Sequence, residues 1–163
     1  MKPAEVSTPS DREVLVKRSF DAPANLVWQA YTDPALMRRW LTAMPGWSMP
    51  VCEMATHMGG KYRWRWRSED GQEFGFTGEM LEVALHSKIV HTQIYDPGDG
   101  EFGSMGGEPS IITVTFNETN GITNVTTSIK YASKADRDAA MSTGMTDGME
   151  MSYKALDGVL AEG

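Results

Sequence analysis

The chain has 163 residues, a formal net charge of −7 and an isoelectric point near 4.9. This length suits one domain with a single core. The acidic balance argues against nucleic acid and anionic membrane surfaces as partners, because both select basic surfaces. No run of eighteen apolar residues and no apolar N-terminal segment occurs, so neither a membrane span nor a secretion signal is predicted.

Cys52 is the only cysteine, which excludes an internal disulfide and suits a reducing compartment. We therefore predict a cytoplasmic protein. Residues 1–12 are polar and are expected to form a flexible leader. Residues 13–163 are expected to form the single domain.

The first predicted strand runs from Glu13 to Phe20, where apolar and polar residues alternate. Arg18 falls on the apolar face of this strand. A buried arginine needs a carboxylate, and Glu150 or another acid near the C-terminal helix could supply it. The alternative is that Arg18 ends the strand with its guanidinium in water, and the sequence leaves both open.

Two short helices are predicted after this strand. Pro23 suits the first turn of one helix, and Asp33 suits the N-cap of the next. The apolar face of the second helix includes Trp40. A loop rich in proline and glycine, residues 42–50, then leads to the remaining strands.

Residues 51–131 show strand and turn patterns only. The clearest strand is 61–67, with three aromatic residues on one face and four basic residues on the other. A strand returning from the turn at 69–71 places Phe74 and Phe76 opposite those aromatic residues. The next strand, 87–95, places His91 and Gln93 on one face. Residues 96–109 contain five glycines and are either a mobile lid or a surface excursion.

The C-terminal segment from Ser133 to Ala161 predicts one long helix. Methionines recur at helical spacing along one face and are followed by Tyr153. Ser133 is placed as the N-cap, with Asp136 at capping-box spacing, and Gly144 marks a candidate kink. The face is either an ordinary core face or one wall of a cavity, since methionine side chains adapt to irregular shapes.

The order of these elements predicts an α+β fold. A curved antiparallel sheet of about six strands would carry two short helices after its first strand, and the long C-terminal helix would pack across the sheet. A helix gripping a curved sheet does not close against it perfectly. A cavity is therefore expected between the two wherever large side chains do not fill the space.

Short motifs spread over the chain carry a resemblance. They are Ala22-Pro23 with Val27-Trp28, Thr32-Asp33-Pro34, Trp40, Gly59-Gly60-Lys61-Tyr62, Asp70-Gly71, Gly78-Glu79 with Leu81-Glu82, Gly144-Met145, Gly148-Met149, Tyr153, Leu156 and Asp157. Together they resemble bacterial proteins related to the C-terminal domain of the activator of the 90-kilodalton heat-shock protein's ATPase. The resemblance spans about Val14 to Leu160. It implies the helix-grip fold of the START-like (SRPBCC) superfamily, whose members carry unrelated activities.

The chemistry-bearing residues show no familiar catalytic or cofactor motif. The three histidines lack metal-ligand spacing, and no phosphate loop or dinucleotide fingerprint occurs. We therefore predict no metal and no cofactor. Cys52 has no histidine partner in the sequence and is interpreted as a packing residue.

Residues expected on the inner face form an aromatic and thioether lining that is typical of a small-molecule pocket. The candidate ligand-binding residues are Trp40, Tyr62, Trp64, Trp66, Phe74, Phe76, His91, Gln93, Met145, Met149 and Tyr153. In the resembling family, the strand positions of His91 and Gln93 are commonly apolar or aromatic. This polar pair would bind a ligand carbonyl or hydroxyl, or else bond to itself, to Tyr95 or to the backbone.

Three functions follow from this lining and from the resemblance. The first is binding of a small apolar or aromatic molecule without chemistry. The second is a cyclase or hydratase in which His91 transfers protons together with Tyr95 or Tyr153. The third is a protein-interaction module, which the resemblance implies. The sequence favours a protein that is not an enzyme, and it leaves open whether the chain is a monomer or a homodimer.

Overall fold

A computed structural model describes residues 2–42, 45–96 and 108–162. Its strands are β1 (Glu5–Ser10), β2 (Glu13–Phe20), β3 (Trp47–Met54), β4 (Lys61–Ser68), β5 (Glu73–Ala84), β6 (Lys88–Asp96), β7 (Ser110–Thr119) and β8 (Ile122–Lys130). Its helices are α1 (Ala24–Thr32), α2 (Pro34–Trp40), α3 (Lys134–Met141) and α4 (Met145–Ala161). The α+β class is therefore confirmed.

The eight strands form one antiparallel sheet in the order β1-β2-β8-β7-β6-β5-β4-β3. Pairing of β2 with β8 joins the N-terminal and C-terminal parts of the chain, while the other neighbours are consecutive in sequence. Inward-facing sheet residues pack with residues of α1, α2 and α4 in one main core. The three helices therefore cover the same face of the sheet.

The prediction of about six strands was too low, since eight are present in the described residues. Strand β1 lies inside the segment expected to be a flexible leader and pairs with β2, with Glu5 opposite Lys17. All six of its residues are exposed, so no hydrophobic alternation marks it in the sequence. Strand β3 begins at Trp47, earlier than predicted, because an edge strand tolerates Pro50 and its register shift.

The prediction of a single long C-terminal helix was also wrong, because two helices, α3 and α4, occupy the segment from Ser133 to Ala161. Helix α3 ends at Met141, and α4 begins after Gly144, whose φ of 78° lies in the left-handed region. A residue without Cβ adopts this conformation at little cost, so the candidate kink is a full break. The predicted N-cap is confirmed: the Ser133 hydroxyl accepts a hydrogen bond from the Asp136 N–H at 3.1 Å.

A second, smaller core lies beside the main one. Met37 of α2 packs there with Met49, Cys52 and Trp66 of β3 and β4. Burial raises the pKa of the Cys52 thiol, which keeps it protonated and apolar. This environment fits the interpretation of Cys52 as a packing residue. Within the described part of the chain, no helix is both long and apolar enough to cross a membrane.

Candidate functional site

Four of the predicted ligand-binding residues meet on the inner face of β4, β5 and β6. The Tyr62 ring centroid lies 4.4 Å from that of Trp64 and 4.9 Å from that of His91. The Trp64 and His91 ring centroids are 6.1 Å apart. Phe76 lies opposite Trp64 in the β4–β5 register. We call Tyr62, Trp64, Phe76 and His91 the inner aromatic cluster.

Gly78 creates the space in which the Tyr62 ring lies. A Cβ on Gly78 would approach the Thr92 carbonyl oxygen to 2.1 Å and the Tyr62 Cε1 to 2.6 Å. Tyr62 lies directly opposite Gly78 in the register. Only glycine therefore allows the Tyr62 ring to lie flat across β5 and reach β6.

Hydrogen bonds determine the tautomer of His91. The Tyr62 hydroxyl donates to the Thr92 carbonyl oxygen at 2.6 Å, so its proton is already used. His91 Nδ1 lies 2.9 Å from the same carbonyl oxygen and 3.1 Å from the Tyr62 hydroxyl oxygen. Both neighbours are then acceptors, and Nδ1 must carry the proton. The other ring nitrogen, Nε2, is left with its lone pair and makes no hydrogen bond within the described residues.

The protonation of His91 follows from its burial. The residue is 5% exposed, and burial lowers its pKa more than the hydrogen bond to the Thr92 carbonyl raises it. His91 is therefore neutral at neutral pH. Burial also raises the pKa of Tyr62, which stays protonated.

Trp64 contributes a donor that the protein does not satisfy. Its indole Nε1–H is buried and finds no acceptor among the described residues. By contrast, the Nε1–H of Trp66 donates to the Leu41 carbonyl at 3.0 Å, and that of Trp40 donates to the Ala30 carbonyl at 2.8 Å. An unpaired buried donor costs roughly 1–3 kcal/mol. The Trp64 side chain is nevertheless only partly buried as a whole.

Two other predicted residues, Trp66 and Phe74, lie toward the second core. Their rings stack at 5.3 Å with an interplanar angle of 20°. Phe74 also contacts Trp47 and stacks against Tyr95. Phe76 joins this group to the inner aromatic cluster, since its ring lies 5.9 Å from Trp66 and 5.8 Å from Tyr95.

Trp40 and Tyr153 lie together elsewhere in the main core. Their rings stack at 6.5 Å, and Tyr153 meets Phe20 edge-on at 5.6 Å. Both residues are at least 95% buried. The ring of Tyr31 lies 4.9 Å from that of Trp40, and burial together with its interaction with Tyr153 raises the pKa of the Tyr31 hydroxyl. This part of the predicted lining is packed core.

The two predicted methionines, Met145 and Met149, are partly buried and pack against the main core. The Tyr131 hydroxyl donates to the Met145 Sδ at 3.4 Å. Gln93 is partly buried, and its backbone carbonyl accepts a hydrogen bond from the buried Ser110 hydroxyl at 3.3 Å. Sequence reasoning missed Ser110 and Tyr131 as neighbours of the site, although Ser110 shares the strand parity of Ile112 and Val114.

Arg18 is buried and paired, as in the first of the two sequence alternatives. Its five N–H donors are matched: Glu150 and Asp157 each accept two hydrogen bonds, and the Ser19 carbonyl accepts one. Burial lowers the pKa of Arg18, but hydrogen bonds and charge from Asp157 and Glu150 outweigh it and raise the pKa overall. We call Arg18, Glu150 and Asp157 the arginine cluster.

The predicted acid–base pairing of His91 with Tyr95 or Tyr153 does not occur. The phenol hydrogen-bonded to His91 is that of Tyr62. Tyr95 contacts Phe74 and Phe76 instead, and Tyr153 packs in the main core. Among the described residues, no three His, Cys, Asp or Glu side chains come together as metal ligands would. Of the glycine-rich segment 96–109 that was predicted as a lid or an excursion, residues 97–107 lie outside the described residues.

Two of the surface clefts lined by described residues do not touch the predicted lining. One, of about 320 Å³, lies between α1, α2 and the end of α4, where Leu26, Leu36 and Leu160 line it. The other, of about 200 Å³, is bounded by Asp21, Asp157, Leu160 and Ala161. Neither cleft is the cavity expected between the sheet and α4.

The fold is shared with solved bacterial structures. A protein from Rhodobacter sphaeroides is 28% identical with a TM-score of 0.88, and 99% of each chain is covered. A protein from Mycobacterium smegmatis is 21% identical with a TM-score of 0.85, and 97% of each chain is covered. No curated protein sequence matches the chain. The family model described as "Activator of Hsp90 ATPase homolog 1-like protein" matches residues 21–161. The resemblance seen in the sequence is thus confirmed, and the chain belongs to the family of Hsp90 ATPase activator homolog 1-like proteins.

Proposed function

We propose that this protein binds a small apolar or aromatic molecule on the inner face of β4, β5 and β6, on the side covered by α4. The observation that carries the proposal is an aromatic surface that the fold leaves incompletely covered. Trp64, Phe76 and Tyr95 face the interior, yet all three are only partly buried. Across the sheet at β2 and β8, inward-facing Val14, Val16 and Val125 are at most 1% exposed.

Uncovered aromatic surface supplies binding energy directly. Each 100 Å² of apolar surface removed from water contributes about 2.5 kcal/mol. Aromatic pairs with edge-on or offset geometry add roughly 0.5–1.5 kcal/mol, and several rings of this surface already adopt such geometry. A flat aromatic molecule is therefore a suitable ligand.

The methionines of α4 favour the same ligand class. Met145 and Met149 pack against the main core and are partly buried. Thioether side chains are unbranched and polarizable, so they adjust to ligands of irregular shape and make favourable contacts with aromatic rings. A helix presenting methionines to the sheet suits binding of small molecules with varied outlines.

The test uses the uncharged fluorescent probe N-phenyl-1-naphthylamine, with native mass spectrometry of the purified protein to detect a retained molecule. We expect the probe to quench tryptophan emission and to raise the melting temperature. Met149→Gln keeps the side-chain length but adds a polar amide, and should weaken probe binding about tenfold.

The matched control is Met151→Gln on the same helix, because Met151 is 43% exposed. We expect this variant to bind the probe like the unmodified protein. If both variants bind alike, the probe does not bind against this face of α4. If no probe binds and mass spectrometry finds no retained molecule, the proposal fails.

A further inference from the structure

We infer that the molecule bound at the inner aromatic cluster is uncharged and carries a hydroxyl group, which donates to His91 and accepts from Trp64. This inference rests on the proposed function and specifies its ligand. Two atoms in the cluster lack partners within the described residues: the Nε2 of His91 and the Nε1–H of Trp64. The first is an acceptor and the second is a donor.

The acceptor role of His91 comes from geometry on its other side. The Thr92 carbonyl receives the Tyr62 hydroxyl at 2.6 Å and lies 2.9 Å from His91 Nδ1, so Nδ1 carries the ring proton. The ring orientation is held by these bonds and by the edge-on contact with Tyr62. A ligand donor is therefore the complementary partner for Nε2.

The donor role of Trp64 does not depend on a tautomer or on pH, because an indole nitrogen only donates hydrogen bonds. Its ring is held against Tyr62 at 4.4 Å, so the N–H direction is set by packing. Other tryptophans of the core, Trp40 and Trp66, have backbone acceptors for the same group. Trp64 differs from them in being only partly buried as a whole and in having no acceptor for this group among the described residues. A ligand oxygen would remove the cost of its unpaired donor.

The electrostatic surroundings exclude a charged ligand. His91 is faced by Tyr62 and Trp64 from β4, by Met80 from β5 and by Ile112 from β7. None of these is charged, and only Tyr62 titrates. The arginines that are buried among the described residues are engaged elsewhere: Arg18 with Glu150 and Asp157, and Arg65 with Glu73 and Asp96. An anion here would be buried without a counter-ion, which is costly.

A hydroxyl is the smallest neutral group that satisfies both partners. An ether or ketone accepts from Trp64 but gives nothing to His91, whereas an amine that becomes protonated brings an unpaired charge. A phenol or alcohol combines one donor with two acceptor lone pairs on a single atom. An apolar or aromatic alcohol is thus the ligand class that this cluster fits.

The experiment compares four ligands on one skeleton by displacement of N-phenyl-1-naphthylamine: naphthalene, 2-methoxynaphthalene, 2-naphthol and 2-naphthoate. We expect 2-naphthol to bind about tenfold more tightly than naphthalene, 2-methoxynaphthalene to lie between them, and 2-naphthoate to bind most weakly. His91→Phe and Trp64→Phe keep an aromatic ring and remove one partner each. Either variant should lose most of the preference for 2-naphthol while retaining naphthalene binding.

Acidity provides a second readout, because protonation turns the Nε2 of His91 into a donor. Burial lowers the pKa of His91 below its ordinary value of 6.5. Affinity for 2-naphthol should therefore be constant from pH 6.5 to about pH 8, where its phenolic hydroxyl stays neutral, and should fall as the pH drops below 6.5 through the lowered pKa of His91. Affinity for 2-methoxynaphthalene should change less over the same range. Met151→Gln is the control and should show the unmodified profile.

The outcomes distinguish a failure of this inference from a failure of the proposed small-molecule binding. If all four ligands displace the probe equally, or if 2-naphthoate binds best, the ligand class is wrong while small-molecule binding stands. If 2-naphthol is preferred but His91→Phe and Trp64→Phe leave the preference intact, the hydroxyl binds elsewhere and the inference is also wrong. If neither the probe nor any naphthalene binds, the proposed function itself fails.

Discussion

The arginine cluster and the inner aromatic cluster lie under the same helical layer but treat their polar groups in opposite ways. Every N–H of Arg18 is matched by a carboxylate or carbonyl oxygen, and its side chain is 1% exposed. In the inner aromatic cluster, Trp64 has a buried donor without an acceptor in the described residues.

The difference indicates that the arginine cluster contributes to stability, whereas the inner aromatic cluster is suited to ligand binding. The arginine cluster ties β2 to α4, and the Ala4 N–H adds a further bond to Glu150 at 2.7 Å. Satisfied groups of this kind hold elements together but offer nothing to a ligand. Unsatisfied groups beside partly covered rings contribute less to stability and are available for binding. Perturbing each cluster should therefore affect different properties.

The largest effect is expected for Arg18→Met, which removes the cation but keeps apolar bulk. Glu150 and Asp157 then lose their partner, and because their side chains are 18% and 32% exposed, we expect a loss of about 3 kcal/mol of unfolding free energy, the lower end of the range for a buried pair. Urea denaturation measures the loss. Arg39→Met is the control, because the pair between Arg39 and Glu162 is exposed and should leave the urea midpoint unchanged. An Arg18→Met midpoint close to that of the unmodified protein would show that the arginine cluster does not hold β2 to α4.

The second largest effect on stability is expected for Gly78→Ala, at the position opposite Tyr62 in the β4–β5 register. Gly78→Ala forces the Thr92 carbonyl and the Tyr62 ring to move, and overpacking of this kind costs about 1–3 kcal/mol. Displacing Tyr62 should also weaken probe binding. The matched substitution is Gly148→Ala in α4, where an added Cβ meets nothing within 4 Å. It should raise stability by about 0.5–1 kcal/mol, since glycine disfavours helix interiors.

Thermal unfolding with probe titration distinguishes these two glycines. If Gly78→Ala is as stable as the unmodified protein and binds the probe normally, then Tyr62 does not depend on the absence of a side chain at that position.

The smallest expected effect is the difference in unfolding free energy between substitutions of two tryptophans on β4. Trp66→Phe removes the donor to the Leu41 carbonyl and should cost about 1 kcal/mol more than Trp64→Phe, which removes a donor with no acceptor in the described residues. Both substitutions lose similar ring area, so the difference isolates the hydrogen bond. Chemical denaturation of the two variants measures it. Equal stabilities would mean that the Trp64 N–H is satisfied in solution, which would weaken the case for a ligand oxygen there.

Alternation predicted which face most strands of the site bury. Tyr62 and Trp66 on β4 and His91 on β6 share the inner side because side chains alternate across a strand with a period of two. Local rules also predicted the caps at Asp33 and Ser133, whose bonds span two or three residues. Hydrophobic alternation did not predict β1, because all residues of this strand are exposed and none of them needs to be apolar.

The sequence by itself determined the α+β order, the burial of alternate strand residues and the family, because these depend on local spacing and short motifs. Only the tertiary structure decided that Arg18 is buried and pairs with Asp157 as well as Glu150, and which phenol bonds to His91. It also decided that Trp64, unlike Trp66, lacks an acceptor in the described residues. Those outcomes depend on contacts between residues far apart in the chain. Strand register and helix placement set such contacts to within an ångström, and no periodicity in the sequence encodes them.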